Sequence, residues 1–206
     1  MPTFEERIQS HYDSRARTLG GIKARSLGAD SLTLTALSVL VYAQLEGGIK
    51  DLAACVIRDL NLRNMSIGNI RPELLKWRNP NDINRFKSMV DFKMITSVSP
   101  FAPALGKRLK VRGINRKAEL NQMGWETIKR VYRGLGLDQT EIERSRVKID
   151  QIVEDRNEAA HRGVLPSIGA TYMEKHVRDN VAVVENVLTD LSLQLLSFFT
   201  NQLHMR

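Results

Sequence analysis

The run Arg156-Asn157-Glu158-Ala159-Ala160-His161 places an arginine, an asparagine and a histidine within one short stretch. An imidazole can take and give protons near neutral pH, because its unperturbed pKa is about 6.5. A guanidinium stays cationic and can hydrogen-bond two phosphate oxygens at once. An amide can orient the imidazole or a ribose. Together these groups suit metal-independent cleavage of RNA. That substrate brings its own nucleophile, the 2′-hydroxyl. The protein must withdraw a proton, stabilise the charge gathering on phosphorus and protonate a leaving oxygen. Other chemistries lack their residues. The chain has no Gly-rich phosphate loop and no dinucleotide fingerprint. Its four histidines and one cysteine show no zinc spacing, and no serine sits in an elbow motif, so no metal and no cofactor is expected.

The element that must carry these groups is a helix over residues 149–163. Ile149, Ile152, Val153 and Ala160 recur at helical spacing, and Gly163 and Pro166 are stop signals. Arg156 follows Ile149 by seven residues and so falls on the apolar stripe. Asn157 borders that stripe, and His161 lies four residues further on the same side. Polar groups aimed at a packed face are costly without partners. Two readings stand open. Either the three groups line a cleft, or Arg156 pairs with a buried carboxylate such as Glu46 while His161 caps the helix C-terminus, where the dipole favours a cation.

The pattern Arg156-x4-His161, with Asn157 after the arginine, resembles the signature of the HEPN superfamily, the small all-helical domains of many prokaryotic toxin and antiviral ribonucleases. Upstream, Val41-Tyr-Ala-Gln-Leu-Glu-Gly-Gly-Ile-Lys50 is similar to the first core helix of the MAE-type and RiboL-PSP-type HEPN groups, where a Tyr, a Glu and a Lys recur at similar spacing. The resemblance covers roughly residues 31–206 and agrees in order: a core helix, a long insert, the motif helix, a terminal helix. It implies an all-α, HEPN-like helical bundle with two long core helices, a helical insert and a long C-terminal helix. It also implies an endoribonuclease leaving 2′,3′-cyclic phosphate and 5′-hydroxyl ends, and a toxin or abortive-infection effector. Arg156, Asn157 and His161 would be catalytic, with Glu46 near them and Lys50 in support. HEPN ribonucleases typically dimerise so that two motifs line one cleft, so a symmetric homodimer is expected, with an antitoxin or neighbouring defence protein as a further partner. A non-catalytic HEPN module that binds RNA, a nucleotide or a protein is the alternative. One motif variant carries a Tyr two residues after the His and is silenced by nucleotidyl transfer. That position is Gly163 here, so this form of control is not expected.

The chain has 206 residues, with 42% hydrophobic and 26% charged, which suits one good-sized globular domain. Six prolines and little strand-type alternation favour an all-α chain. Cys55 stands alone, which excludes an internal disulfide framework and suggests a reducing compartment. The opening 2–7 is polar and charged, so no secretory signal is expected. The most apolar run, 32–45, is shorter than the ~20 residues a bilayer requires. A later run, 181–199, is interrupted by Glu185, Asn186, Asp190 and Gln194. Both are expected to be core helices of a cytoplasmic protein with no membrane partner. The net charge of +8 and pI near 9.8 suit a polyanionic partner such as nucleic acid, although a charge of this size also serves solubility.

Residues 1–30 read as an N-terminal arm, in which a helix over 3–19, with Phe4, Ile8, Tyr12 and Leu19 as a thin stripe, ends at Gly20-Gly21 and leads into a basic linker. Residues 31–206 form the main domain. Asp30 or Ser31 caps a helix to about residue 61, with Leu34, Leu37, Val41, Leu45, Ile49, Leu52, Val56 and Leu60 at core spacing. On its own, the pair Glu46 and Lys50 reads as a surface salt bridge. Gly47-Gly48 in mid-helix costs about 1 kcal/mol per glycine relative to Ala, and its expected use is close approach of the motif helix or a second subunit. The insert spans about 62–138. In it Lys107, Arg108, Lys110, Arg112, Arg116 and Lys117 follow one another with no acid between, a candidate RNA-backbone contact or a solvated loop. Residues 114–135 are predicted helical, and 139–162 form one helix or two. The last helix is predicted over 168–203, with Val177, Val181, Val184, Leu188, Leu191, Leu195 and Phe198 on a broad apolar face.

Overall fold

The structure is a computed structural model, and it describes residues 2–63, 123–163, 165 and 170–201. Among these residues there are six helices and no strand. They are α1 (Phe4–Arg25), α2 (Ser31–Arg63), α3 (Trp125–Leu135), α4 (Thr140–Arg144), α5 (Arg146–Arg162) and α6 (Ala170–Thr200). The basic run of Lys107, Arg108, Lys110, Arg112, Arg116 and Lys117 lies outside the described residues, as does most of the expected insert.

Helix α1 opens with a capping box: the Thr3 side chain accepts from the Glu6 N–H at 3.1 Å, and the Glu6 carboxylate accepts from the Thr3 N–H at 2.7 Å. The helix does not stop at Gly20-Gly21 but continues to Arg25. Leu19 and Ile22, on either side of the glycines, are both buried. Burying two such side chains is worth about 1.5–3 kcal/mol each, more than the about 1 kcal/mol that each glycine costs. The segment expected to be a basic linker is therefore half helix. Gly28, at φ 65°, turns the chain, and its N–H donates to Glu174 on α6 at 3.0 Å.

Helix α2 starts from Asp30, whose side chain accepts the Thr33 N–H at 2.7 Å. All eight apolar positions predicted for its core face are buried. The adjacent glycines admit two different neighbours. A Cβ on Gly47 would lie 2.7 Å from the Arg15 guanidinium of α1, and one on Gly48 would lie 2.6 Å from a Leu188 methyl of α6. The close approach is real, but the partners are α1 and α6, not the motif helix. Arg15 is held there by Gln44 at 3.0 Å and Asp51 at 2.6 Å.

Helices α1, α2 and α6 pack on one another, and α5 packs chiefly on α2. Helix α3 is anchored by Tyr132, which is fully buried and donates to Asp190 of α6 at 2.9 Å. The chain between α3 and α5 is two helices: a short α4 ends at Ser145, from which α5 starts. Asp138 supports the start of α4 by accepting the Thr140 N–H at 3.1 Å. Two stretches, Ser31–Leu60 and Thr171–Thr200, reach a mean hydropathy of 1.3 over a membrane-length window, longer than the apolar run read from sequence. Their apolar faces pack into the bundle, including Leu45, Ile49, Leu52, Val181, Val184 and Leu188.

Candidate active site

Helix α5 carries the arginine, asparagine and histidine. Its buried residues are Ile149, Ile152, Asp155 and Ala159. The stripe expected through Val153, Arg156 and Ala160 is displaced by one residue in its second half: Ala160 is exposed, while Asp155 and Ala159 face the interior. Arg156, Asn157 and His161 are all exposed. They lie at the open surface, outside the buried core.

Arg156 leaves the helix towards α2. Its guanidinium carbon lies 5.2 Å from the centre of the Tyr42 ring, within cation–π range. Its Nη1 donates to the Asn157 side-chain oxygen at 2.9 Å. Asn157 therefore orients Arg156; orientation of the imidazole or a ribose was the role expected from sequence. Tyr42 is buried, and its hydroxyl accepts the Met123 N–H at 3.3 Å. Burial pushes the Tyr42 hydroxyl above its ordinary pKa, the Met123 N–H and the charge of Arg156 oppose the rise, and Glu46 adds to it. Glu46 and Arg156 thus both bear on one phenol. Glu46 pairs instead with the Lys50 ammonium one turn along α2. The buried Arg156–Glu46 ion pair open at the level of sequence is not formed.

His161 lies in the last turn of α5. The cap of that helix is Gly163, at φ 74°, whose N–H donates to the Ala159 carbonyl at 3.0 Å. His161 is therefore not the hydrogen-bonding cap, and its exposed ring faces solvent. Arg162 turns back along the helix, with Nε 2.9 Å from Glu158. Past the cap, the Leu165 N–H donates to Thr35 of α2 at 3.2 Å, which ties the end of the motif to α2.

The sequence reading missed a second polar cluster beside the motif. Asp155 is buried, and its Oδ2 lies 2.6 Å from His176 Nε2 and accepts from Asn180 at 2.9 Å. Its Oδ1 accepts from Gln151 at 3.0 Å. A signal was present: Asp155 sits three residues after Ile152 and four before Ala159, and His176 and Asn180 are one turn apart on the last helix. Tyr42 was visible only through the family pattern.

The arrangement presents one cation held flat on a ring, an amide that fixes its direction and an exposed imidazole one turn on. Such groups can grip a phosphodiester and exchange protons with it. Among the described residues no cluster of three or more His, Cys, Asp or Glu side chains is placed to hold a metal ion. In comparisons with known proteins, the family model RiboL-PSP-HEPN matches residues 10–197. No curated protein and no solved structure matches the chain.

Proposed function

The chain belongs to the RiboL-PSP-HEPN family, and from that premise we propose that it is a metal-independent endoribonuclease whose working groups are Arg156, Asn157 and His161. The observation that carries the reading is the state of Arg156. Its contacts among the described residues are an aromatic ring and an amide oxygen, which steer the guanidinium without neutralising it. A cation held this way is ready for an anionic substrate.

In the reaction, the ribose 2′-oxygen bonds to the adjacent phosphorus and the bond from phosphorus to the 5′-oxygen breaks. The 2′-hydroxyl loses its proton to a base, and the leaving oxygen gains one. Arg156 binds the non-bridging oxygens as charge gathers there, and His161 handles protons. The products are a 2′,3′-cyclic phosphate and a 5′-hydroxyl.

The motif's one imidazole serves one of the two proton transfers, so a two-fold dimer with a shared cleft fits the chemistry. An exposed apolar strip on α2 supports it. Leu32 is 66%, Leu40 44% and Val39 37% exposed. Val39 stands four residues after Thr35, which accepts the Leu165 N–H, and three before Tyr42, which carries Arg156. A second copy seated on this strip would lie beside Arg156. A toxin or antiviral effector is the setting that the family resemblance implies, with an antitoxin or defence protein as partner.

The test is incubation of a mixed RNA with the protein in excess EDTA, with both product ends mapped. Cleavage leaving cyclic phosphates supports the reading. Retention of RNA on the protein without cleavage would favour the non-catalytic module instead.

A further inference from the structure

The polar cluster under the motif helix has no part in the chemistry just described, yet its acceptor, Asp155, is the residue before Arg156. Between Val153 and Arg162 the buried residues of α5 are Asp155 and Ala159. An alanine contributes little apolar area, so packing alone holds this half of the helix weakly. A carboxylate buried at 7% exposure is costly unless it is paired and hydrogen-bonded. Asp155 meets that condition through His176 at 2.6 Å and Asn180 at 2.9 Å, both on α6, and through Gln151 at 3.0 Å. Asn180 is 1% exposed, so its amide has little room to follow a displaced partner. The contacts of α5 with α6 are otherwise sparse beside those with α2.

The cluster is therefore sensitive to the rotation of α5 about its axis. Asp155 is satisfied only when its side of the helix faces α6. The next residue lies about 100° further round, and that direction brings Arg156 over the Tyr42 ring. Turning α5 enough to release Arg156 from the ring would pull the carboxylate from its two partners on α6, His176 and Asn180.

The geometry points to Asp155, His176 and Asn180 as positioning residues for Arg156: a buried acceptor on the motif helix, keyed to two donors on α6, fixes the rotation that seats the guanidinium on Tyr42. The inference rests on the ribonuclease reading only for its effect on turnover, because the geometry can be read without any substrate.

The test uses the full chain with isotope-labelled arginine. Seated on Tyr42, the Arg156 δ-methylene carries a ring-current shift, assigned by its loss in Tyr42→Leu. His176→Ala is expected to remove that shift while far-UV circular dichroism stays that of wild type. His176→Gln, whose amide can donate to Asp155, is expected to restore most of it. In the cleavage assay His176→Ala should lower kcat on the order of 10²-fold with KM within about twofold. A folded His176→Ala protein with the wild-type Arg156 shift overturns the proposal. If His176→Ala does not fold, the double variant Asp155→Ala/His176→Ala removes the carboxylate together with its 2.6 Å partner, so that no buried charge is left without one. That variant must lose the shift, and its retention overturns the proposal. Absence of cleavage by wild type counts against the ribonuclease reading alone.

Discussion

The guanidinium carbon of Arg156 sits 5.2 Å from the centre of the Tyr42 ring, so the motif helix and the first core helix meet through a cation on an aromatic face. Tyr42 is itself buried at 5% exposure, which makes the ring a fixed platform.

That contact gives the first prediction. Tyr42→Phe keeps the ring and loses one hydroxyl acceptor for the Met123 N–H, so it should cost about 1 kcal/mol and keep most RNA cleavage. Tyr42→Ala should cost about 3–5 kcal/mol and lose cleavage with it. Urea denaturation and cleavage rates on the same two proteins check the pair.

The adjacent glycines of α2 should respond unequally to a methyl group. At Gly48 the methyl would sit 2.6 Å from Leu188, a core side chain with 1% exposure and little room to move. Gly48→Ala should destabilise by about 1–3 kcal/mol. At Gly47 the obstacle is the end of the Arg15 side chain, which can swing away. Gly47→Ala gives up the Arg15 contacts but gains helix propensity of about 1 kcal/mol, so its melting temperature should stay near that of wild type. Thermal melts of the two variants decide it.

Alkaline pH should destabilise the fold through Tyr132. Burial, followed by the neighbouring Asp190 carboxylate, pushes its hydroxyl far above the ordinary tyrosine range. In the unfolded chain it ionises near pH 10. The contribution is therefore complete below about pH 10 and is lost as pH rises beyond it, because only the unfolded state can release the proton. Tyr132→Phe should be less stable than wild type at neutral pH by about 1 kcal/mol, with the gap narrowing above pH 10. Chemical denaturation at several pH values reads both limbs.

Much of the fold was legible because its main signal is apolar periodicity. Leu34 through Leu60 on α2 and Val177 through Phe198 on α6 occupy the interior at their predicted spacing. The motif helix was harder. Reading Ile149, Ile152, Val153 and Arg156 as one stripe places Arg156 on the packed face and gives Asp155 no place there, and α5 reverses both. Asp155 turns inward because three donors meet it, and Arg156 reaches outward from the edge of the packed face. The partners that decide each direction are distant in sequence: His176 is 21 residues from Asp155, and Tyr42 lies on α2. Gly20-Gly21 misled for a related reason, because local propensity stops a helix only where flanking burial is weak, and Leu19 and Ile22 are buried there.

The apolar strip beside the site gives a further prediction. Val39→Glu combined with Leu40→Glu adds charge at exposed positions of α2 and should leave the monomer folded. It should shift the mass measured by light scattering from dimer to monomer and reduce cleavage at equal chain concentration. An unchanged mass would contradict the proposed dimer face.

The central claim is that the exposed His161 carries the proton transfer. The direct measurement is cleavage of one RNA in EDTA by wild type and His161→Ala side by side, with unfolding curves on the same samples. His161 is exposed and outside the core, so the account predicts stability within about 0.5 kcal/mol of wild type and a rate lower by at least about 10²-fold. A folded His161→Ala protein that cleaves at the wild-type rate would contradict it.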